Sequence, residues 1–175
     1  MPEKILILGS KGFIGKNLFD YFNEKKNFTT IGLTRKESDF SDPEALVPIV
    51  KNIMPSIVIH TAVSLDNFEN NIKMYLALEN IATFVSKVVL IGSGAEYIPI
   101  RYKPQMKEDY FPKSSVFPKD IYTLSKYTIS RLHQKSNLKN IFNLRVFGIY
   151  GPFEDFNRRL ISNNIVRYLY KLPLQ

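Results

Sequence analysis

Ile5-Leu6-Ile7-Leu8-Gly9-Ser10-Lys11-Gly12-Phe13-Ile14-Gly15 opens the chain with an apolar run, three spaced glycines and the start of a helical pattern. A strand that ends in glycines and turns directly into a helix is built to hold a phosphate anion. Gly9 permits the tight turn, Gly12 lets the backbone approach a pyrophosphate, and Gly15 lets the helix pack close to the strand. Free N–H groups and the positive dipole end of that helix then face the ligand. A glycine-rich turn with no ligand is the plainer alternative, and the strand before it and the helix after it speak against that.

Working outward, hydrophobic periodicity predicts a strand at residues 4–8 and a helix at 13–26. A second strand fits residues 28–34. Ser41-Asp42-Pro43-Glu44 opens another helix with a cap candidate, a first-turn proline and an early acid. Pro55 closes it before the apolar strand Ser56-Ile57-Val58-Ile59-His60. A helix at 67–85, a strand at 87–91, a long loop at about 93–118, a helix at 119–136, a strand at 140–147 and an amphipathic segment at 157–171 complete the order. Alternating strands and helices, with continuous apolar strands, imply an α/β fold: a doubly wound parallel sheet of the Rossmann type. The expected strand order begins 3-2-1-4, with ligands beyond the carboxyl ends of the strands.

Composition narrows the function. At 175 residues the chain suits one domain, and no apolar run is long enough to span a bilayer. The N-terminus lacks a signal-peptide pattern. There is no cysteine, and the two histidines, His60 and His133, lie far apart, so no metal centre is expected. A reducing, cytoplasmic setting fits. The net charge of +8 comes from scattered Lys and Arg residues with no long basic run, which reads as a solvated surface. No nucleic-acid or membrane partner is expected, and some of the charge suits an anionic nucleotide.

Tyr122 and Lys126 lie four apart on a predicted helix and share a face. A tyrosine hydroxyl ionises near pH ~10, so a phenolate at neutral pH takes on the order of 4 kcal/mol of differential stabilisation. A neighbouring ammonium contributes to that, and the phenol could then exchange a proton with a sugar hydroxyl or carbonyl while hydride moves to or from a nicotinamide. With ten tyrosines in a lysine-rich chain, such spacing also arises by chance, as in Tyr21 and Lys25. Context separates the pairs, because Tyr122 and Lys126 follow the loop where the ligand crevice should lie. Ser93 ends a strand in Ile91-Gly92-Ser93-Gly94-Ala95-Glu96-Tyr97, where a hydroxyl can hold the reacting oxygen. Alone it would read as a turn residue.

Taken in order, these pieces resemble the extended branch of the short-chain dehydrogenase/reductase superfamily, the NAD-dependent epimerases and dehydratases that modify nucleotide sugars. Residues 9–15 match its pyrophosphate loop, residues 59–62 its strand-end motif beside the cofactor, and Asn71 an asparagine that steadies the central strand. Residues 92–97 are similar to its serine segment, 122–126 to its Tyr-x-x-x-Lys pair, and 144–152 to the stretch where the substrate region starts. The resemblance implies a triad of Ser93, Tyr122 and Lys126, with Lys126 also bonding the nicotinamide ribose. It implies that the Gly9, Gly12 and Gly15 loop, with backbone N–H groups from Phe13 and Ile14, holds the pyrophosphate. Thr61 and Ala62 would flank the cofactor. Asp39 would meet the adenine or else be a loop acid. Arg35 suits the 2′-phosphate of NADP, and the nearby Glu37 keeps NAD open.

On this reading residues 1–175 form a single NAD(P)-binding Rossmann domain, and the C-terminal portion that supplies most of the substrate pocket is largely absent. Ala95 stands where some epimerising members carry a cysteine, which leaves keto reduction and redox-type epimerisation open. The expected partner is a nucleotide-sugar substrate, polysaccharide biosynthesis is one fitting pathway, and a homodimer is one admissible assembly. The alternative is a dinucleotide-binding scaffold that has lost catalysis.

Overall fold

The computed structural model describes residues 2–97, 103–108, 118–157 and 159–175. The elements run β1 (Glu3–Leu8), α1 (Phe13–Asn23), β2 (Phe28–Leu33), α2 (Pro43–Ile53), β3 (Ile57–His60), α3 (Phe68–Ala82) and β4 (Lys87–Ser93). A 3-10 turn (Gly94–Tyr97), α4 (Ile121–Lys135), β5 (Ile141–Val146) and α5 (Leu160–Leu169) follow. Each expected strand and helix is present within a few residues. Of the expected long loop, residues 98–102 and 109–117 lie outside the described residues.

The five strands among the described residues are all parallel, as expected, but their order is β2-β1-β3-β4-β5. The expectation of 3-2-1-4 is therefore corrected: β3 pairs with β1, Leu8 opposite His60, and not with β2. Side-chain chemistry explains the difference. Ile57-Val58-Ile59-His60 is apolar enough to be covered on both faces and takes an interior place, whereas the Thr29 and Thr30 pair keeps β2 at the edge. The chain thus reverses direction across the sheet at β1 and β3. That reversal puts the crevice expected of such folds between their carboxyl ends.

Three helices are started by their own side chains. Asp42 accepts from the Glu44 amide at 2.9 Å, Asn67 from Asn70 at 2.8 Å and Asp120 from Thr123 at 2.7 Å. Helices α2, α3 and α4 bury one sheet face around Leu6, Leu8, Val58, Val88, Leu90, Tyr75 and Leu78. On the other face α1 lays Leu18, Phe19 and Phe22 over Ile5, Ile7 and Ile59. That second cover ends before β5, where Phe142 and Leu144 stay 45% and 50% exposed. Helix α5 buries none of its residues. No helix among the described residues is long and apolar enough to cross a membrane.

His60 closes β3 fully buried, with its Nδ1 unpartnered and its ring edge-on to Phe40. Burial, with the nearby Lys126 and Arg35 charges adding to it, pulls its ionisation down to about 3. Between about pH 6.5 and 3 the unfolded chain therefore binds a proton that the folded chain refuses. Stability from this group is complete above pH ~6.5 and is lost as pH falls. Urea unfolding should show His60→Leu losing about 2 kcal/mol less than the wild type between pH 6.5 and 5. Equal losses in the two proteins would exclude His60 as the source.

Candidate active site

The turn after β1 is held by contacts that leave no space for side chains. Gly9 adopts φ +87°, and its amide donates to the Leu33 carbonyl at 2.9 Å. The Thr61 hydroxyl donates to the carbonyls of Leu8 and Gly9 at 2.9 and 3.1 Å, which fastens the end of β3 to the turn. A Cβ on Gly9 would lie 2.9 Å from the Ala62 nitrogen, and one on Gly15 would overlap the Gly9 carbonyl and the Thr61 hydroxyl. Gly12 differs, since a Cβ there would meet only the Gly9 oxygen, at 3.4 Å. The fold therefore needs no glycine at position 12, and the backbone there is left open to a ligand. Helix α1 also lacks a side-chain cap and a first-turn acid, so its leading amides are left for an anion. The residues fit a diphosphate.

At the end of β2, Arg35 reaches across the crevice and donates to the Val63 carbonyl at 3.1 Å. The Glu37 carboxylate folds back onto Thr34, accepting from its amide at 2.7 Å and also from its hydroxyl, and these bonds hold Glu37 below the usual carboxylate range. Asp39 accepts from the Ser41 hydroxyl and amide at 2.7 and 2.9 Å, which lowers its ionisation in the same way.

The expected catalytic residues converge. Ser93, Tyr122 and Lys126 line one cleft of about 380 Å³ together with Phe13, Ile14 and Thr61. Lys126 is buried, its Nζ 5.9 Å from the Tyr122 ring centre and donating to the Ile91 carbonyl at 2.7 Å. Burial lowers its ionisation to about 8, against the opposing pull of Glu96. By contrast, Tyr21 and Lys25 also meet, Nζ 4.8 Å from the ring centre, but with Tyr21 55% exposed and away from the cleft. Tertiary placement separates two pairs of identical spacing.

Asn71, expected to steady a strand, bonds to the loop after β3 and to α4. It donates to the Ser64 carbonyl at 2.7 Å and to the Ser125 hydroxyl at 3.1 Å, and accepts from the Ser64 amide at 2.8 Å. The loop after β3 is thereby tied to the helix turn that carries Lys126. Beyond β5, Gly148, Ile149, Tyr150, Glu154 and Arg159 also line the cleft. The Asn17 side chain holds that segment against α1 by donating to the Pro152 carbonyl at 2.8 Å.

Sequence reasoning missed Glu96, which is 1% exposed and paired with Arg145 at 2.8 Å. A signal existed: an acid in one strand-end phrase and a base inside the apolar Leu144-Arg145-Val146 are opposite charges in segments that should be buried.

The sequence matches the profile of the NAD-dependent epimerase/dehydratase family over residues 5–175. The chain belongs to that family. It is 28% identical over 167 residues to a GDP-6-deoxy-D-talose 4-dehydrogenase of Aggregatibacter actinomycetemcomitans, covering 88% of this chain and 55% of that one. Its fold matches a GDP-mannoheptose C4 reductase from Campylobacter jejuni with NADP bound, at TM-score 0.79 and 21% identity, over 95% of this chain and 55% of that one. It also matches a dTDP-glucose 4,6-dehydratase from Bacillus anthracis in complex with NAD, at TM-score 0.71 and 16% identity, over 97% and 62% of the two chains. This family member thus spans little more than half the length of such relatives.

The two glycines should separate in experiment. Gly15→Ala should destabilise the chain by about 1–3 kcal/mol through overpacking. Gly12→Ala should leave the unfolding midpoint near that of the wild type yet abolish dinucleotide binding in a calorimetric titration.

Proposed function

We propose that this chain carries the cofactor site and catalytic residues of an NAD(P)-dependent oxidoreductase or redox-type epimerase acting on a nucleotide-linked sugar. One observation carries the reading: a single cleft is lined both by the start of the anion-ready helix, Phe13 and Ile14, and by Ser93, Tyr122 and Lys126. Membership of the family and the sugar nucleotides named for its relatives support it.

In this reading the Gly9–Gly15 turn holds the diphosphate, Asp39 faces the adenine, Thr61 and Ala62 wall the crevice, and Lys126 bonds the ribose. Bound nicotinamide supplies or takes up hydride at one sugar carbon. The Ser93 hydroxyl accepts from the Ala95 amide at 3.2 Å, which leaves its own proton to donate to the reacting sugar oxygen. Tyr122 gives or takes the proton at that oxygen. The Lys126 ammonium stabilises the negative charge left on the phenol and retains two donors beyond the one on Ile91.

NADP(H) is the favoured cofactor because Arg35 stands at the end of β2, where the 2′-phosphate would lie. The Glu37 carboxylate occupies the Thr34 donors that such a phosphate would use. Glu37→Gln should therefore raise NADPH affinity relative to NADH, and Arg35→Asp should lower it. Equal cofactor ratios in both variants and the wild type would remove this assignment.

Calorimetric titration with NADP⁺ and NAD⁺, followed by oxidation of GDP-6-deoxy-D-talose as a probe, tests the function. Tyr122→Phe should keep cofactor affinity and lose 10²- to 10⁴-fold in rate, roughly the worth of a positioned acid/base. Binding without turnover by the wild type would instead indicate the scaffold reading.

A further inference from the structure

The Glu96 carboxylate lies directly behind Ser93. Its Oε1 accepts from the Ser93 backbone amide at 2.9 Å. Its Oε2 accepts from Asn143 Nδ2 and Arg145 Nε, both at 2.8 Å. Arg145 continues outward, donating to the Tyr97 hydroxyl at 2.6 Å, to the Glu108 carbonyl at 2.6 Å and to the Ser130 hydroxyl at 3.1 Å. Ser130 lies one helical turn beyond Lys126 on α4. One buried carboxylate therefore joins the serine turn to β5 and, through Arg145, to the helix bearing Tyr122 and Lys126.

The backbone makes room for this arrangement. A Cβ on Gly92 would overlap Glu96 Oε1 and Asn143 Oδ1. Only glycine lets the carboxylate reach the next residue's amide. A buried ion pair is weak support for stability, since replacing both charges with apolar groups is often neutral or favourable, and its retention calls for a role in specifying geometry.

We propose that Glu96 is a positioning residue, held by Asn143 and Arg145, whose carboxylate fixes the Ser93 amide and so aims the Ser93 hydroxyl into the cleft opposite Tyr122. This rests on the reading of Ser93 as the group that holds the reacting sugar oxygen. The carboxylate also has an electrostatic effect, because it sustains the charge on Lys126 against burial.

The test compares the full chain with Glu96→Gln. With GDP-6-deoxy-D-talose and NADP⁺, kcat should fall on the order of 10- to 100-fold, the scale of a small misplacement at a reacting centre. The Kd for NADP⁺, measured well below the Lys126 titration so that the ammonium stays charged in both proteins, should not change, since Glu96 is remote from the glycine turn. The Lys126 titration, followed by ¹³C NMR at Cε, should move down from about 8. The Ser93 amide proton should shift upfield and exchange faster with solvent.

Glu96→Gln removes the carboxylate that Arg145 pairs with at 2.8 Å, a loss that can unfold the chain. The double variant Glu96→Gln/Arg145→Met removes both charges and should fold with the same loss of rate and of Ser93 protection. Wild-type rate together with an unmoved Ser93 amide in a folded variant would overturn the proposal. A wild type that binds cofactor but turns nothing over would remove the catalytic reading of Ser93. The Ser93 amide would still report whether Glu96 holds it.

Discussion

Three pieces of chain meet at the carboxyl end of the sheet with only the Thr61 hydroxyl between them: the Gly9 carbonyl, the first turn of α1 at Gly15, and the end of β3 at Thr61. This close approach sets the angle at which α1 leaves the sheet, and through it the direction of the amides offered to an anion. Thr61 is part of the same constraint, because its hydroxyl adds a bond to each of two carbonyls that already accept from backbone amides, Leu8 from Thr61 and Gly9 from Gly12. The crevice between β1 and β3 follows from it.

Polar groups buried near the cleft are held by partners from other elements, so that they act as fasteners. Asn71 ties the loop after β3 to α4, and Glu96 ties the turn after β4 to β5. Each ends beside an expected catalytic residue, Ser125 next to Lys126 and the amide of Ser93 itself. A hydroxyl or ammonium on a single helix or loop has rotational freedom that reaction geometry does not tolerate, and bonds from a second and third element remove it.

The two faces of the sheet are unequal. Helices α2, α3 and α4 bury one face thoroughly, while among the described residues α1 covers β1 and β3 on the other and leaves Phe142 and Leu144 on β5 exposed. Helix α5 also exposes Leu160, Ile161 and Ile165, the first two at the cleft. The cleft runs from the ends of the central strands, beside Thr61 and Ser93, to Val146 on the edge strand β5 and the segment beyond it.

Local chemistry made much of this legible. Apolar runs, the cap candidate before Pro43 and the glycine spacing act over a few residues, and the strands, helices and glycine turn followed from them. Strand order was not legible, because it depends on which strand must be covered on both faces, a comparison between Ile57–His60 and Phe28–Leu33 made only when the sheet assembles. Nor could spacing distinguish Tyr122 and Lys126 from Tyr21 and Lys25, since a four-residue interval is the same on a buried helix face and on an exposed one. The Glu96 and Arg145 pairing lies across 49 residues and two strands. Residue order therefore specified the elements and the chemical groups available, and long-range packing decided which of those groups share a cleft, because burial and distance between remote segments exist only in the folded chain.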